Sequence, residues 1–176
     1  QRVGKKVNRV SKDGITNDEL LNLSSEVYLS GGQDGLMGMV LHPKLGIGAG
    51  EINYVYIAYT YSTAGKTGWT YPSPGTDPVK LAANAADDAT RRTKIVRYEY
   101  NVTANNGALT NPTTIIEGLS SSNDHNSGKL TIGPDTKLYY TIGDLGVNQF
   151  ANKCNVNRSQ EIPTLAMLNS VPPNYE

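Results

Sequence analysis

One cysteine, one tryptophan and one phenylalanine stand among 176 residues. A solitary Cys154 excludes an intrachain disulfide and a thiolate metal cluster, and it reads as a small inert side chain. Excess charge is also lacking: 16 basic residues face 16 acidic ones. Nothing therefore draws the chain electrostatically toward nucleic acid or anionic lipid. No apolar run reaches membrane-spanning length, and no charged-then-apolar leader opens the sequence. With only two histidines there is no zinc motif. A phosphate-binding loop and a dinucleotide fingerprint are missing too, and Asp34-Gly35 and Asp87-Asp88 lack the carboxylate spacing of a calcium-binding loop.

What is present is tyrosine, 11 of them, and 18 glycines, with much Asn, Thr and Ser. This mix favours strands joined by tight turns, at a length that allows one domain with a real core. Val7 and Val10, then Leu20-Leu21-Asn22-Leu23, flank Asp13-Gly14, a hairpin signal. Leu36–Leu41 predicts a buried strand closed by His42-Pro43, and Asn53–Tyr61 is rich in aromatic and β-branched residues. Ser62–Arg91 reads as a long loop, with Trp69, Pro72, Pro74, Gly75 and Pro78 before an alanine-rich patch at Ala82–Ala89. Strands resume at Thr93–Tyr100 and, after Asn105-Asn106-Gly107, at Thr113–Glu117. Leu130–Ile132 and Lys137–Ile142 flank the turn Gly133-Pro134-Asp135-Thr136. Beyond Asp144 periodicity fades, with one weak helical stretch near Thr164–Leu168.

This pattern predicts an all-β chain. Four strands between Gly35 and Glu117 make one antiparallel sheet, a second sheet starts at Gly128, and a fragment of another precedes them. Repeated four-stranded sheets are the plan of a β-propeller, and a sandwich is the alternative.

Chemistry concentrates at Ser122-Asn123-Asp124-His125-Asn126-Ser127-Gly128 and at Asp144. A histidine held between carboxylates at strand ends suits a general base. Taken alone, each residue has a plainer reading. His125 fits a turn or surface histidine, Asp144 a turn former, Gln33 a turn cap beside Gly31-Gly32, and His42 a structural residue before Pro43.

Taken together, several segments resemble one family. Gly31-Gly32-Gln33-Asp34-Gly35-Leu36-Met37-Gly38 with Leu41-His42-Pro43, and Arg97-Tyr98-Glu99-Tyr100, resemble the soluble quinoprotein glucose dehydrogenases. Asp124–Gly128 with Leu130, Ile132–Asp135, Tyr139–Asp144, Gly146 and Asn148-Gln149 resembles the wider glucose/sorbosone dehydrogenase signature. The agreement runs from about Gly4 to Asn169.

The resemblance implies a six-bladed β-propeller of four-stranded antiparallel blades. Residues 1–176 then form a fragment of a single propeller domain: the end of the first blade, the second blade and the start of the third. It implies pyrroloquinoline quinone (PQQ) and calcium (Ca2+) as cofactors, held mostly by residues beyond 176, and no metal ligand within this chain. The reaction it implies is oxidation of an aldose at its anomeric carbon to a lactone. His125 matches the base and Asp144 the carboxylate beside it. Gln33 and Asp124 match groups that hydrogen-bond the sugar, and Phe150 stands where an apolar residue borders the sugar pocket. Val147 departs from the glucose enzymes, which carry a basic residue there. Implied partners are the sugar, an external electron acceptor and the rest of the propeller, in a periplasmic or secreted location. The isolated fragment is expected to be inactive. Two other readings are a non-catalytic binding module on the same fold and a degraded gene product with an exposed sheet edge.

Overall fold

The computed structural model describes residues 4–48, 50–68, 78–102 and 107–145. Its strands fall into three antiparallel sheets. Strands β1 (Lys6–Val10) and β2 (Asn17–Asn22) form a hairpin. At its turn, the Gly14 amide donates to the Ser11 carbonyl at 2.9 Å with φ of 75°, a conformation that glycine adopts without steric cost.

The central sheet runs in chain order: β3 (Leu36–Leu41), β4 (Tyr54–Ser62), β5 (Arg91–Asn101) and β6 (Ala108–Ser120). The third sheet pairs β7 (Leu130–Ile132) with β8 (Leu138–Tyr140). Their turn closes when the Thr136 amide donates to the Gly133 carbonyl at 3.0 Å.

Alternation along β4 and β5 explains the layering. Val55 lies opposite Tyr98, and Ile57 opposite Val96. These side chains share one sheet face and pack with Val7, Leu23 and Val27 from the β1–β2 side. Tyr56 and Ala58 point the other way, and with Ile95 and Ile115 they pack against Leu130 of β7. Each sheet face has period two, so a strand covered on both sides must be apolar at nearly every position. That accounts for the almost unbroken burial of β4. Burying a side chain the size of Ile57 contributes about 1.5–3 kcal/mol.

Three expectations change. First, the connection between β4 and β5 contains a helix, α1 (Pro78–Asp88), where a loop was expected. Proline suits the first helical turn, and alanine is the best helix former. Among its described side chains, the anchor is polar. Asp87 is buried, accepts the Tyr28 hydroxyl, and pairs with Lys66 at 3.1 Å and Arg91 at 3.3 Å. Second, β6 is longer than Thr113–Glu117 and runs through Asn111-Pro112. Among the described residues it pairs only with β5, so its other edge needs no amide at Pro112, and shifts of register absorb the irregularity. Third, β8 is shorter than Lys137–Ile142. The expected helical stretch at Thr164–Leu168, and Trp69, Pro72, Pro74 and Gly75, lie outside the described residues.

Candidate active site

The segment from Ser121 to Gly128 joins β6 to β7 and is organised by one side chain. Asn126 is 2% exposed. Its carbonyl oxygen accepts from the Ser122 amide at 2.9 Å and the Ser121 hydroxyl at 3.1 Å. Its amide donates to the Ser122 carbonyl at 2.7 Å and to the Gln33 carbonyl at 3.4 Å. The Ser122 hydroxyl accepts from the Asp124 amide at 2.9 Å and lies 2.9 Å from the Leu145 carbonyl. A buried amide saturated in this way rigidifies the backbone around it. His125 sits on that scaffold with φ of 47°, a left-handed conformation uncommon for a residue with a side chain. Such a residue persists only where its surroundings over-determine it.

Neighbouring segments complete the restraint. The His125 amide donates to Gln33 Oε1 and to Asp124 Oδ1, both at 3.0 Å. The Gln33 amide donates to the Asn123 carbonyl at 2.7 Å. Gly143, three residues beyond β8, lies so close that an added Cβ would overlap the His125 carbonyl oxygen. Only glycine lets the two backbones approach like this.

The structure thus brings together four residues named from the sequence: His125, Asp144, Asp124 and Gln33. His125 Nδ1 lies 2.8 Å from Asp144 Oδ1. A carboxylate can only accept, so Nδ1 carries the proton and Nε2 presents its lone pair. Nε2 stands 3.8 Å from Asp124 Oδ1, too far for a direct hydrogen bond. The gap suits a hydroxyl that gives its proton to the ring while lying beside the carboxylate. The imidazole is half-buried, with a 39% exposed side chain, so a ligand can reach it. Gln33 uses its side-chain carbonyl oxygen on the His125 backbone. Phe150 lies outside the described residues, as does Val147.

His42 belongs elsewhere: its Nδ1 accepts the Lys44 amide at 3.1 Å at the end of β3. Burial and then the Lys44 charge hold its pKa below the ordinary histidine value. Sequence reasoning missed Asn126 and Ser122 as organisers of the site. Both stand inside the recognised motif, but a polar residue buried beneath a loop has the same sequence signal as one in a solvated turn.

The glucose/sorbosone dehydrogenase family model matches residues 1–165. This chain belongs to the glucose/sorbosone dehydrogenase family. It is 33% identical over 169 residues to quinoprotein glucose dehydrogenase B of Acinetobacter calcoaceticus. That match covers 96% of this chain and 30% of the relative, so the chain spans about a third of that protein's length. A solved structure, the PQQ-bound aldose sugar dehydrogenase of Streptomyces coelicolor, superposes with a TM-score of 0.56 at 23% identity. It covers 83% of this chain and 34% of the other, a likeness of fold.

PQQ carries three carboxylates, which call for cationic or amide donors. Among the described residues, the hydrogen-bond partners of His125, Asp124 and Gln33 include no Lys or Arg. These three residues thus lie beside no cationic group for a quinone carboxylate, and none of the described residues is assigned to the quinone. Among the described residues, no group of three or more His, Cys, Asp or Glu is arranged to hold a metal ion.

Proposed function

We propose that this chain is part of a PQQ-dependent dehydrogenase that oxidises the anomeric carbon of an aldose to a lactone, with His125 as general base. The observation that carries the reading is the 2.8 Å contact between His125 Nδ1 and Asp144, which leaves Nε2 as a proton acceptor in a half-buried site. The sugar's C1 hydroxyl gives its proton to Nε2, and the positive charge that develops on the ring is stabilised by Asp144. The C1 hydrogen leaves with its bonding electron pair as a hydride, the C1–O bond becomes the lactone carbonyl, and PQQ, when bound, would supply the two-electron acceptor that takes the hydride. Asp124 and the Gln33 amide orient the sugar hydroxyls, and holding them in register with Nε2 lowers the entropic part of the barrier. The full protein, on this reading, is a six-bladed propeller that also holds calcium, works outside the cytoplasm and passes electrons to an external acceptor.

The test uses the full-length protein reconstituted with PQQ and calcium, a redox dye and a panel of aldoses. Turnover is expected, and His125→Gln is expected to lower kcat by about 10²–10⁴-fold, the usual contribution of a general base. Sugar binding without turnover in the parent protein would favour the non-catalytic module instead.

A further inference from the structure

Beneath the candidate site lies a buried ionic cluster that the proposed reaction does not use. Arg91, at the start of β5, and Asp34, in the loop before β3, are both fully buried. Arg91 Nε lies 3.3 Å from Asp34 Oδ2, while its Nη2 lies 3.3 Å from Asp87 of α1. The guanidinium also stacks over the Tyr28 ring at 5.0 Å. Both oxygens of Asp34 accept the Ser30 amide, at 2.9 and 3.0 Å, closing the Ser30–Gly35 loop on itself. Burial pushes the Asp34 carboxyl up, against the pull of Ser30 and Arg91.

Asp34 immediately follows Gln33, and this short loop contacts the His125 segment, which β3 also meets where Met37 and Gly38 lie against Gly128. The Gln33 amide bonds Asn123, its side chain accepts the His125 amide, and its carbonyl accepts from Asn126. Gly32 lies against the Asn123 carbonyl so closely that an added Cβ would overlap it. We propose that the Asp34–Arg91 pair is a positioning device: it ties the Gln33 loop to the central sheet, and through Gln33 it holds His125 in its left-handed conformation. Neither residue touches the sugar. A buried pair of this kind specifies geometry more than it adds stability, because desolvation offsets much of its attraction. Its connection to α1 through Asp87 makes the helix a second anchor of the same guanidinium. The turnover arm of its test rests on His125 being the base; the exchange arm does not.

Hydrogen exchange read by mass spectrometry on the full-length protein, parent against Asp34→Asn, tests this. Peptides covering residues 30–35 and 120–127 are expected to exchange about tenfold faster in the variant, while those covering residues 54–61 and 94–100 keep the parent rate. Aldose turnover by the PQQ-loaded variant is expected to fall about tenfold in kcat, the loss that misplacing a base brings. Asp87→Asn, which loosens α1 from the same cation, should speed exchange in the helix and leave residues 120–127 protected. Uniform acceleration through β4 and β5 in Asp34→Asn, or equal opening of residues 120–127 by Asp87→Asn, overturns the proposal and leaves the cluster a purely structural one. If Asp34→Asn does not accumulate, Asp34→Glu keeps the charge but displaces the carboxylate by one methylene and gives the same reading. A parent protein that turns over no aldose defeats the functional assignment alone, and the exchange pattern then decides the positioning role by itself.

Discussion

Asp144→Asn probes the contact on which the proposed role of His125 as a base rests. The substitution keeps the size of the side chain and removes its charge, 2.8 Å from Nδ1. Asparagine can still accept the Nδ1 proton, but turned over it presents NH2 and favours the tautomer with the proton on Nε2. A hydrogen bond to a charged group is worth about 1.5–3 kcal/mol. Here the two side chains are 39% and 53% exposed, so solvent screens the pair and about 1–2 kcal/mol is the better figure. At about 1.4 kcal/mol per tenfold in rate, kcat should fall roughly 5- to 30-fold. That is far below the roughly 10⁴-fold loss known for a buried triad aspartate, and the difference is the exposure. The assay is dye-linked turnover of the full-length, cofactor-loaded protein, with thermal melting as the control. Stability should change by less than about 1 kcal/mol, since Asp144 is a surface residue. An unchanged kcat would refute the argument, because it would mean that the ring works without its carboxylate.

Two further outcomes follow from packing and charge. Gly143→Ala drives a Cβ into the His125 carbonyl oxygen, where neither backbone can yield cheaply; a loss of about 2–3 kcal/mol in denaturant unfolding is expected, together with most of the turnover. Glu26 accepts the Tyr59 hydroxyl at 2.7 Å and Lys94 at 3.0 Å. Burial alone would push its carboxyl up, but these two partners outweigh it and hold the pKa below the ordinary 4.5. A carboxyl depressed on folding stabilises fully above that value, and the contribution disappears as the pH falls through the lower folded one. The melting temperature should therefore drop more steeply between about pH 5 and about pH 3 in the parent than in Glu26→Gln. Parallel curves for the two would remove Glu26 from the account.

Strand identity was largely legible before any coordinates. Asn53–Tyr61 alternates two apolar faces with hardly a polar break, and a segment like that must sit between two layers. The turn at Asp13-Gly14 and the turn at Gly133–Thr136 followed from residues that tolerate those backbone angles. Helix α1 escaped because alanines carry no periodic signal and its anchoring Asp87 resembles any surface acid. The first half of β6 escaped because Asn111-Pro112 normally ends a strand, and only the position of β6 beside a single partner makes proline harmless.

For the site, local chemistry and family likeness named His125, Asp144, Asp124 and Gln33 and put Asp144 beside the ring, but not the backbone contacts that bring the four together. These residues lie up to 111 positions apart in the chain, from 33 to 144. Their meeting depends on backbone approaches at Gly32 and Gly143 and on the buried amide of Asn126, which reads as an ordinary turn residue in one dimension.

Composition and the order of side chains along the chain determined an antiparallel β architecture, the absence of an intrachain disulfide and which histidine stands in the family motif. The tertiary structure alone decided which nitrogen of that histidine is held and which faces outward. Tautomer choice depends on an acceptor at hydrogen-bond distance, and no pattern of neighbours in sequence sets a distance across two loops and two sheets.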